Sequence, residues 1–130
     1  MKKTVSVGIG GALGTLLRCA LFRLPLPAGA LSHPLMTLLI NATGSFLLGL
    51  LTILFVRRIR VSAEMRLAVT AGVMGGYTTF STMCGDAAML ARTQSALFAA
   101  VYLVLTVLLG LSATWGGIRL GKRMEGRRRA

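Results

Sequence analysis

The sequence predicts an all-α membrane protein with four transmembrane helices, the third of them broken. Of its 130 residues, 55% are hydrophobic and only 14% are charged. The mean hydropathy of +0.75 exceeds what a soluble domain of this size would carry. Apolar residues fall into four stretches, at about 4–22, 35–56, 67–90 and 96–118, each near the roughly 20 helical residues that cross about 30 Å of hydrocarbon. We therefore predict one transmembrane domain over residues 1–130, ending in a basic tail at 119–130.

The basic residues predict the orientation in the membrane. Twelve of the 15 Lys and Arg residues flank the two termini and the connection between the second and third spans, whereas Arg23 and Arg92 lie on the other side. By the positive-inside rule, both termini are cytoplasmic, which fits a multi-pass protein of the inner (plasma) membrane. The tail 119–130 is then expected to contact anionic lipid headgroups. Nucleic-acid binding is a weaker interpretation, because a short basic flank usually anchors a membrane helix.

The first span is predicted to be a packing helix. Gly10 and Gly14 are four residues apart, so they offer one smooth face to another helix. Two lysines before an apolar run, with Ala-Gly-Ala at 28–30, would also fit a secretory signal. Arg18 and Arg23 lie between the apolar region and that cleavage site, which is the wrong order for such a signal.

The second span contains one amide, and an irregular connection precedes it. Pro25, Pro27 and Pro34 predict that this connection is not helical, and they place His33 in it as a solvated side chain. Asn41 lies inside the apolar stretch 35–56. An amide in a membrane must find partners for its donors and its acceptor, so Asn41 either joins helices or lines a polar path.

The third span contains the strongest polar signal. Gly75 and Gly76 are followed by Tyr-Thr-Thr-Phe-Ser-Thr at 77–82. Adjacent glycines weaken a helix and release carbonyl groups, which is tolerated in a membrane only where protein, ions or water satisfy them. We therefore predict a helix break near the midplane. Asp86 is the only acidic residue in any span, and such a charge is expected to face a cavity or a vestibule.

The fourth span has a polar stripe at four-residue spacing, formed by Tyr102, Thr106, Gly110 and Thr114. These hydroxyls either line a pathway or bond back to carbonyls of the preceding turn. Nothing predicts an enzyme, because the chain lacks a plausible nucleophile, base and orienting acid together, and it has no cluster of metal-binding residues. A narrow route lined by hydroxyls and one amide suits a small anion.

The sequence resembles the Fluc, or CrcB, family of fluoride channels over nearly all of its length. The resemblance is carried by Gly10-Gly11-Ala12-Leu13-Gly14 with Arg18, by Asn41 with Gly44, Phe46 and Gly49, and by Gly75-Gly76-Tyr77-Thr78-Thr79-Phe80-Ser81-Thr82. It implies a passive, fluoride-selective channel that lets fluoride leave the cytoplasm and so reduces its toxicity. It also implies an inverted, antiparallel dimer with two pores and a structural sodium ion, held by the carbonyls of Gly75 and Thr78.

The resemblance further implies roles for individual residues. It places at the fluoride pore Asn41, Phe80, Ser81, Thr82, Met83, Tyr102, Thr106 and Thr114. Arg18 and Asp86 would lie in a vestibule. Met83 is a departure, because the family usually has a second phenylalanine there, and a thioether has no aromatic edge.

Two alternatives remain open from the sequence. The strong charge bias and Met83 would fit one subunit of a heterodimer, which pairs with an oppositely oriented paralogue and has an impaired pore of its own. A proton-coupled small-solute exporter of the small multidrug-resistance type is the other. Such an exporter needs a carboxylate in the first span, which this chain lacks, so it would depend on Asp86.

Overall fold

The computed structural model describes residues 1–24, 29, 31–57, 59 and 61–126, and every regular element within these ranges is helical. In chain order they are α1 (Lys2–Phe22), α2 (Ser32–Arg57), α3 (Ala63–Leu67), a π-helical segment (Ala68–Val73), α4 (Met74–Tyr77), α5 (Phe80–Thr93) and α6 (Ala96–Gly126). Three of the described helices are long and apolar enough to cross a membrane, namely α1, α2 and α6. The described chain is thus all-helical, with three helices that could each cross a bilayer.

Helix α1 lies with its backbone against the backbone of residues 68–77. A Cβ atom at Gly10 would overlap the carbonyl oxygen of Ala68, and one at Gly14 would overlap that of Val73. From the opposite side, a Cβ atom at Gly76 would overlap the carbonyl oxygen of Gly11. Only glycine permits this approach, so the prediction that Gly10 and Gly14 form a packing face is confirmed.

Helices α2 and α6 make the second close pair, also through glycines. A Cβ atom at Gly49 would overlap the Thr114 carbonyl oxygen, and one at Gly117 would overlap the Phe46 carbonyl oxygen. Both contacts lie within about one turn of each helix, at residues 46–49 and 114–117. Nearer its start, α2 also contacts the end of α4, where Gly44 lies against Tyr77 and Thr78.

The helical path is interrupted between α4 and α5. Thr78 and Thr79 have extended backbones, with φ and ψ of −74° and 155° and of −145° and 118°. Helix α5 then starts anew, capped by the hydroxyl of Thr79, which accepts a hydrogen bond from the Thr82 N–H at 3.2 Å. The residues from Ala63 to Thr93 are therefore a chain of short helices, unlike the continuous α1, α2 and α6.

The connection before α2 is shorter than the sequence predicts. Helix α2 begins at Ser32, so Pro34 and His33 lie in its first turn. Proline is compatible with that position, because N–H groups of a first turn have no helical acceptor. The predicted loop position of His33 is therefore wrong, while Pro25 and Pro27 lie outside the described residues. At the other end, α6 continues to Gly126 through most of the predicted tail 119–130.

Candidate functional site

Asn41 of α2 binds the interruption directly. Its Oδ1 accepts a hydrogen bond from the Thr79 N–H at 2.8 Å, and its Nδ2 donates to the Thr79 carbonyl oxygen at 3.0 Å. Both backbone groups of Thr79 are thus satisfied by one side chain. Thr79 is buried, and buried backbone groups without partners are costly, so Asn41 stabilises the extended backbone.

Two backbone carbonyls lose their helical donors at this point. In a continuous helix, the Gly75 carbonyl would accept from the Thr79 N–H and the Thr78 carbonyl from the Thr82 N–H. Here those N–H groups donate instead to the Asn41 Oδ1 and to the Thr79 hydroxyl. The next carbonyl, at Gly76, accepts from the Thr15 hydroxyl of α1 at 3.4 Å.

Hydroxyl groups cluster around the start of α5. The Thr79 Oγ1 donates to the Thr82 Oγ1 at 2.9 Å and lies 3.4 Å from the Ser81 Oγ. Within the described part of the chain, the Thr82 hydroxyl hydrogen has no acceptor. Ser81 is exposed, and Phe80 beside it is 76% exposed. This end of α5 presents a polar and aromatic surface.

An open groove of about 230 Å³ runs beside these groups. It is lined by Asn41, Ser45, Leu48, Thr78, Thr79, Phe80 and Met83. Most of the lining surface is apolar, and the Asn41 amide and the hydroxyl groups form its polar part. Pockets of this composition bind a small solute through a few oriented polar groups.

A second polar cluster surrounds Asp86, whose side chain is only 6% exposed. Its Oδ1 lies 2.7 Å from the Nδ1 of His33. Its Oδ2 accepts from the Thr37 hydroxyl at 2.6 Å and from the Tyr102 hydroxyl at 3.3 Å. Both carboxylate oxygens are therefore bound, by groups from α2 and α6.

The structure separates the residues predicted for the pore into different surroundings. Asn41, Phe80 and Met83 share the groove, and Ser81 and Thr82 follow within the first turn of α5. Met83 is also buried, at 8% exposure, in the apolar cluster between α5 and α6. It lies between the groove and this cluster.

The predicted residues of α6 are not in the groove lining. The Thr106 hydroxyl donates to the Tyr102 carbonyl at 2.8 Å, and the Thr114 hydroxyl donates to the Gly110 carbonyl at 2.9 Å. This is the local bonding that sequence analysis left open for the stripe. On α1, Arg18 is half-buried and forms no ion pair within the described ranges.

His33 and Thr37 belong to a polar cluster that the sequence did not predict. Both belong to α2 and precede Asn41 by eight and four residues, so the three share one helix face. The four-residue spacing predicts a shared helix face, but only if His33 belongs to the helix, and the prolines predict a loop there.

A metal site made of acidic, His or Cys side chains is not present among the described residues. The released carbonyl oxygens of Gly75 and Thr78 are a different kind of donor set. Hard cations such as sodium prefer oxygen ligands, so these carbonyls fit such an ion chemically.

Comparison with known proteins gives matches over most of the chain. The family model described as "CrcB-like protein, Camphor Resistance (CrcB)" matches residues 5–118. The Fluoride-specific ion channel FluC 2 of Yersinia pseudotuberculosis serotype I (strain IP32953) is 46% identical over 112 residues, which are 82% of this chain and 86% of the relative.

Two further relatives come from other bacteria. The Fluoride-specific ion channel FluC 2 of Geobacillus kaustophilus (strain HTA426) is 43% identical over 114 residues, covering 87% of this chain and 88% of the relative. The Fluoride-specific ion channel FluC of Rhizobium meliloti (strain 1021) is 37% identical over 124 residues, covering 95% of this chain and 99% of the relative.

Proposed function

The chain belongs to the CrcB family, and we propose that it is a passive fluoride channel of the inner (plasma) membrane, which lets fluoride leave the cytoplasm. A channel binds and passes its ion without changing it, so the protein is not an enzyme. The observation that carries the proposal is the groove at the helix interruption, where amide and hydroxyl donors meet an aromatic side chain. The names of the relatives favour neither a proton-coupled exporter nor a subunit without a working pore.

Asn41 has a hydrogen to spare for an anion. An amide nitrogen carries two hydrogens, and only one of them is used by the Thr79 carbonyl. The second is available to fluoride at the groove. Fluoride must exchange its hydration shell for such donors in order to pass a narrow route.

Phe80 and Thr82 complete the proposed contacts. The hydroxyl of Thr82 retains a free hydrogen among the described residues, and Ser81 offers a second hydroxyl beside it. The ring of Phe80 has a positive edge, since the quadrupole of an aromatic ring is negative on its face. Both contacts attract an anion without a formal positive charge, so the ion is not held so tightly that it cannot leave.

We propose that residues 67–90 together make the third of four crossings. The helices on either side of Thr78 and Thr79 supply enough length for about 30 Å of hydrocarbon. An interrupted helix is acceptable at membrane depth only where protein or a cavity satisfies its backbone. Asn41 and Thr15 meet that condition for Thr79 and Gly76.

A second subunit would cover the exposed surface at the start of α5. Phe80 and Ser81 are exposed there, and a Cβ atom at Gly75 would meet nothing within 4 Å. Hydroxyls and open carbonyls are poor partners for lipid, so a protein surface fits this face better. We propose an antiparallel dimer, formed with a second copy or with an oppositely oriented paralogue.

The same interface would hold a structural sodium ion. Gly75 and Thr78 have carbonyl oxygens that their usual N–H donors no longer bind, which supports their role as ligands. In the dimer, the oxygens of both subunits would converge on the ion and fix the two interruptions together. Replacing sodium by choline in every buffer should then shift the purified protein from dimer to monomer, whereas the same dimer fraction in both salts would contradict the site.

The charge distribution bears on which partner is present. Twelve basic residues on one side against Arg23 and Arg92 on the other favour one orientation, with both termini cytoplasmic. A self-paired antiparallel dimer requires both orientations. Labelling a cysteine introduced at the C-terminus, in a variant whose Cys19 and Cys84 are replaced by serine, with an impermeant reagent in intact cells measures this. Labelling of about half the molecules supports the homodimer, and labelling of almost none supports a paralogue.

Fluoride efflux from liposomes tests the channel itself. Purified protein is reconstituted in vesicles loaded with fluoride or with chloride, and release is followed by ion-selective electrodes. We expect fluoride efflux without chloride efflux, and the same result for Thr52→Val, whose hydroxyl bonds only within α2. If verified vesicles release no fluoride, even with an oppositely oriented family member added, the proposal is wrong.

A further inference from the structure

We propose that His33 is a positioning residue that sets the net charge of the Asp86 cluster, so that fluoride conduction rises as the pH falls. This inference rests on the proposed function, because it concerns how the same pathway responds to protons. It concerns a histidine for which sequence analysis predicted no role. It is carried by contacts between four helices of the structure.

The two ends of the His33–Asp86 contact differ in how far they are exposed. The His33 side chain is 55% exposed, while that of Asp86 is 6% exposed, and the Nδ1 and Oδ1 atoms are 2.7 Å apart. The His33 ring also stacks on Phe22 of α1, with centroids 4.7 Å apart and planes 20° apart. Its orientation is thus fixed from both sides, while more than half of the side chain stays exposed.

A continuous polar line joins this contact to the groove. His33, Thr37 and Asn41 follow one another at four-residue intervals on α2, about 6 Å apart along the helix. Thr37 bonds to Asp86, and Asn41 bonds to Thr79 at the groove. The carboxylate therefore lies on the order of 10 Å from the Asn41 amide, within range of an anion held there.

Protonation of His33 changes the charge of this cluster. An ionised carboxylate only accepts hydrogen bonds, so the Nδ1 of His33 carries the hydrogen of the contact and a further proton adds at Nε2. With neutral His33, the cluster has a net charge of −1 and repels fluoride. With protonated His33, its net charge is zero. Histidine is the side chain that changes charge between about pH 5 and 8.

The other groups around the pair do not supply this switch. From α6, Tyr102 donates its hydroxyl to Asp86 and is uncharged in this pH range. From α1, Phe22 contributes an uncharged ring, and Arg18 and Arg23 form no ion pair with the cluster in the described structure. From α2, Thr37 contributes a hydroxyl. Among these groups in the described ranges, His33 is the one histidine, the side-chain type that generally changes charge near neutral pH.

The expected effect follows from the distance. Removing one unit charge about 10 Å from a bound anion, at an effective dielectric constant near 20, changes fluoride occupancy on the order of tenfold. We therefore expect the wild-type efflux rate to rise by about three- to tenfold between about pH 8 and pH 5.5. The same pH is set on both sides of the vesicle membrane, so that orientation does not matter. Protein-free vesicles correct for leakage of hydrogen fluoride.

Two variants test the assignment to His33. Glutamine in His33→Gln can donate to the carboxylate but does not titrate, so we expect a flat pH profile with fluoride selectivity retained. Asp86→Asn removes the negative charge, so we expect its efflux rate near pH 8 to reach about the acidic wild-type rate. Because His33 is retained, its protonation then takes the cluster from zero to +1, and the rate should still rise as the pH falls. Thr52→Val serves as the control that keeps the wild-type profile.

The outcomes separate this inference from the proposed function. If the wild type conducts fluoride with the same rate at every pH, or if His33→Gln keeps the wild-type pH dependence, the inference is wrong and the channel proposal stands. If the wild type releases no fluoride at any pH, alone or with an oppositely oriented family member added, the channel proposal fails and this inference fails with it. Unfolding temperatures of both variants near that of the wild type exclude a merely structural loss.

Discussion

Replacing Asn41 by aspartate tests the interruption and the anion path together. The carboxylate of Asn41→Asp keeps an acceptor for the Thr79 N–H, which donates to Asn41 at 2.8 Å. It has no hydrogen for the Thr79 carbonyl, which accepts from the amide at 3.0 Å, and none for fluoride. The substitution therefore removes two donated hydrogen bonds and adds a negative charge at the groove.

The magnitude follows from these contacts. Leaving the Thr79 carbonyl without its donor costs about 1–3 kcal/mol of stability. For the ion, a unit charge about 4 Å from fluoride at an effective dielectric constant near 20 raises its energy by about 4 kcal/mol. Each 1.36 kcal/mol corresponds to about a tenfold change, so we expect the fluoride efflux rate to fall by at least about 100-fold.

Fluoride efflux from liposomes is the assay, and the protein must first be shown to be folded. Thr52→Val on the same helix is the matched control, since its hydroxyl donates only to the Leu48 carbonyl. A monodisperse Asn41→Asp protein with an unfolding temperature close to wild type, yet with efflux within about threefold of wild type, would remove Asn41 from the anion path.

Three further predictions concern packing and the buried carboxylate. Gly10→Ala should lower stability by about 1–3 kcal/mol, because its Cβ would overlap a carbonyl oxygen. Gly8→Ala should not lower it, because the space around that position is open. Equal unfolding temperatures for the two variants would contradict the backbone contact. Thr37→Val should lower the free energy of unfolding by about 1–3 kcal/mol, and by more than Tyr102→Phe. The reason is that the hydrogen bond to the Asp86 carboxylate is 2.6 Å long from Thr37 and 3.3 Å long from Tyr102. Chemical denaturation that ranks the two variants in the reverse order would contradict this prediction. Met83→Ala should lower stability by about 2–4 kcal/mol and Met83→Leu by less than about 1.5 kcal/mol, because this side chain is buried. If Met83→Ala leaves the unfolding temperature unchanged, the side chain faces lipid instead.

The sequence predicted those features that depend on local pattern. Long apolar stretches gave the all-helical membrane class, because hydrocarbon thickness sets the length of a span directly. The spacing of Gly10 and Gly14 gave the packing face of α1, since residues four apart lie on one side of a helix. In both cases the physical cause lies within a single stretch of chain.

The contacts between distant residues could not be predicted in the same way. That Asn41 would bind both backbone groups of Thr79, 38 positions away, depends on how α2 packs against α5. The Asp86 cluster likewise draws its donors from two other helices. His33 was misplaced because three prolines suggested a long loop, although proline in the first turn of a helix loses no hydrogen bond.

The position of Asn41 explains how one side chain can serve both the fold and the proposed function. Its oxygen and one amide hydrogen are committed to Thr79, which leaves the second hydrogen for an anion. An alternative with one donor, such as serine, could satisfy only one of these needs. Because the two committed bonds hold the amide in place, fluoride would meet a donor that is already oriented, and little ordering would be needed when it binds. The stability and the conduction of Asn41 variants should therefore separate according to which of its hydrogens is lost, with Asn41→Asp losing both.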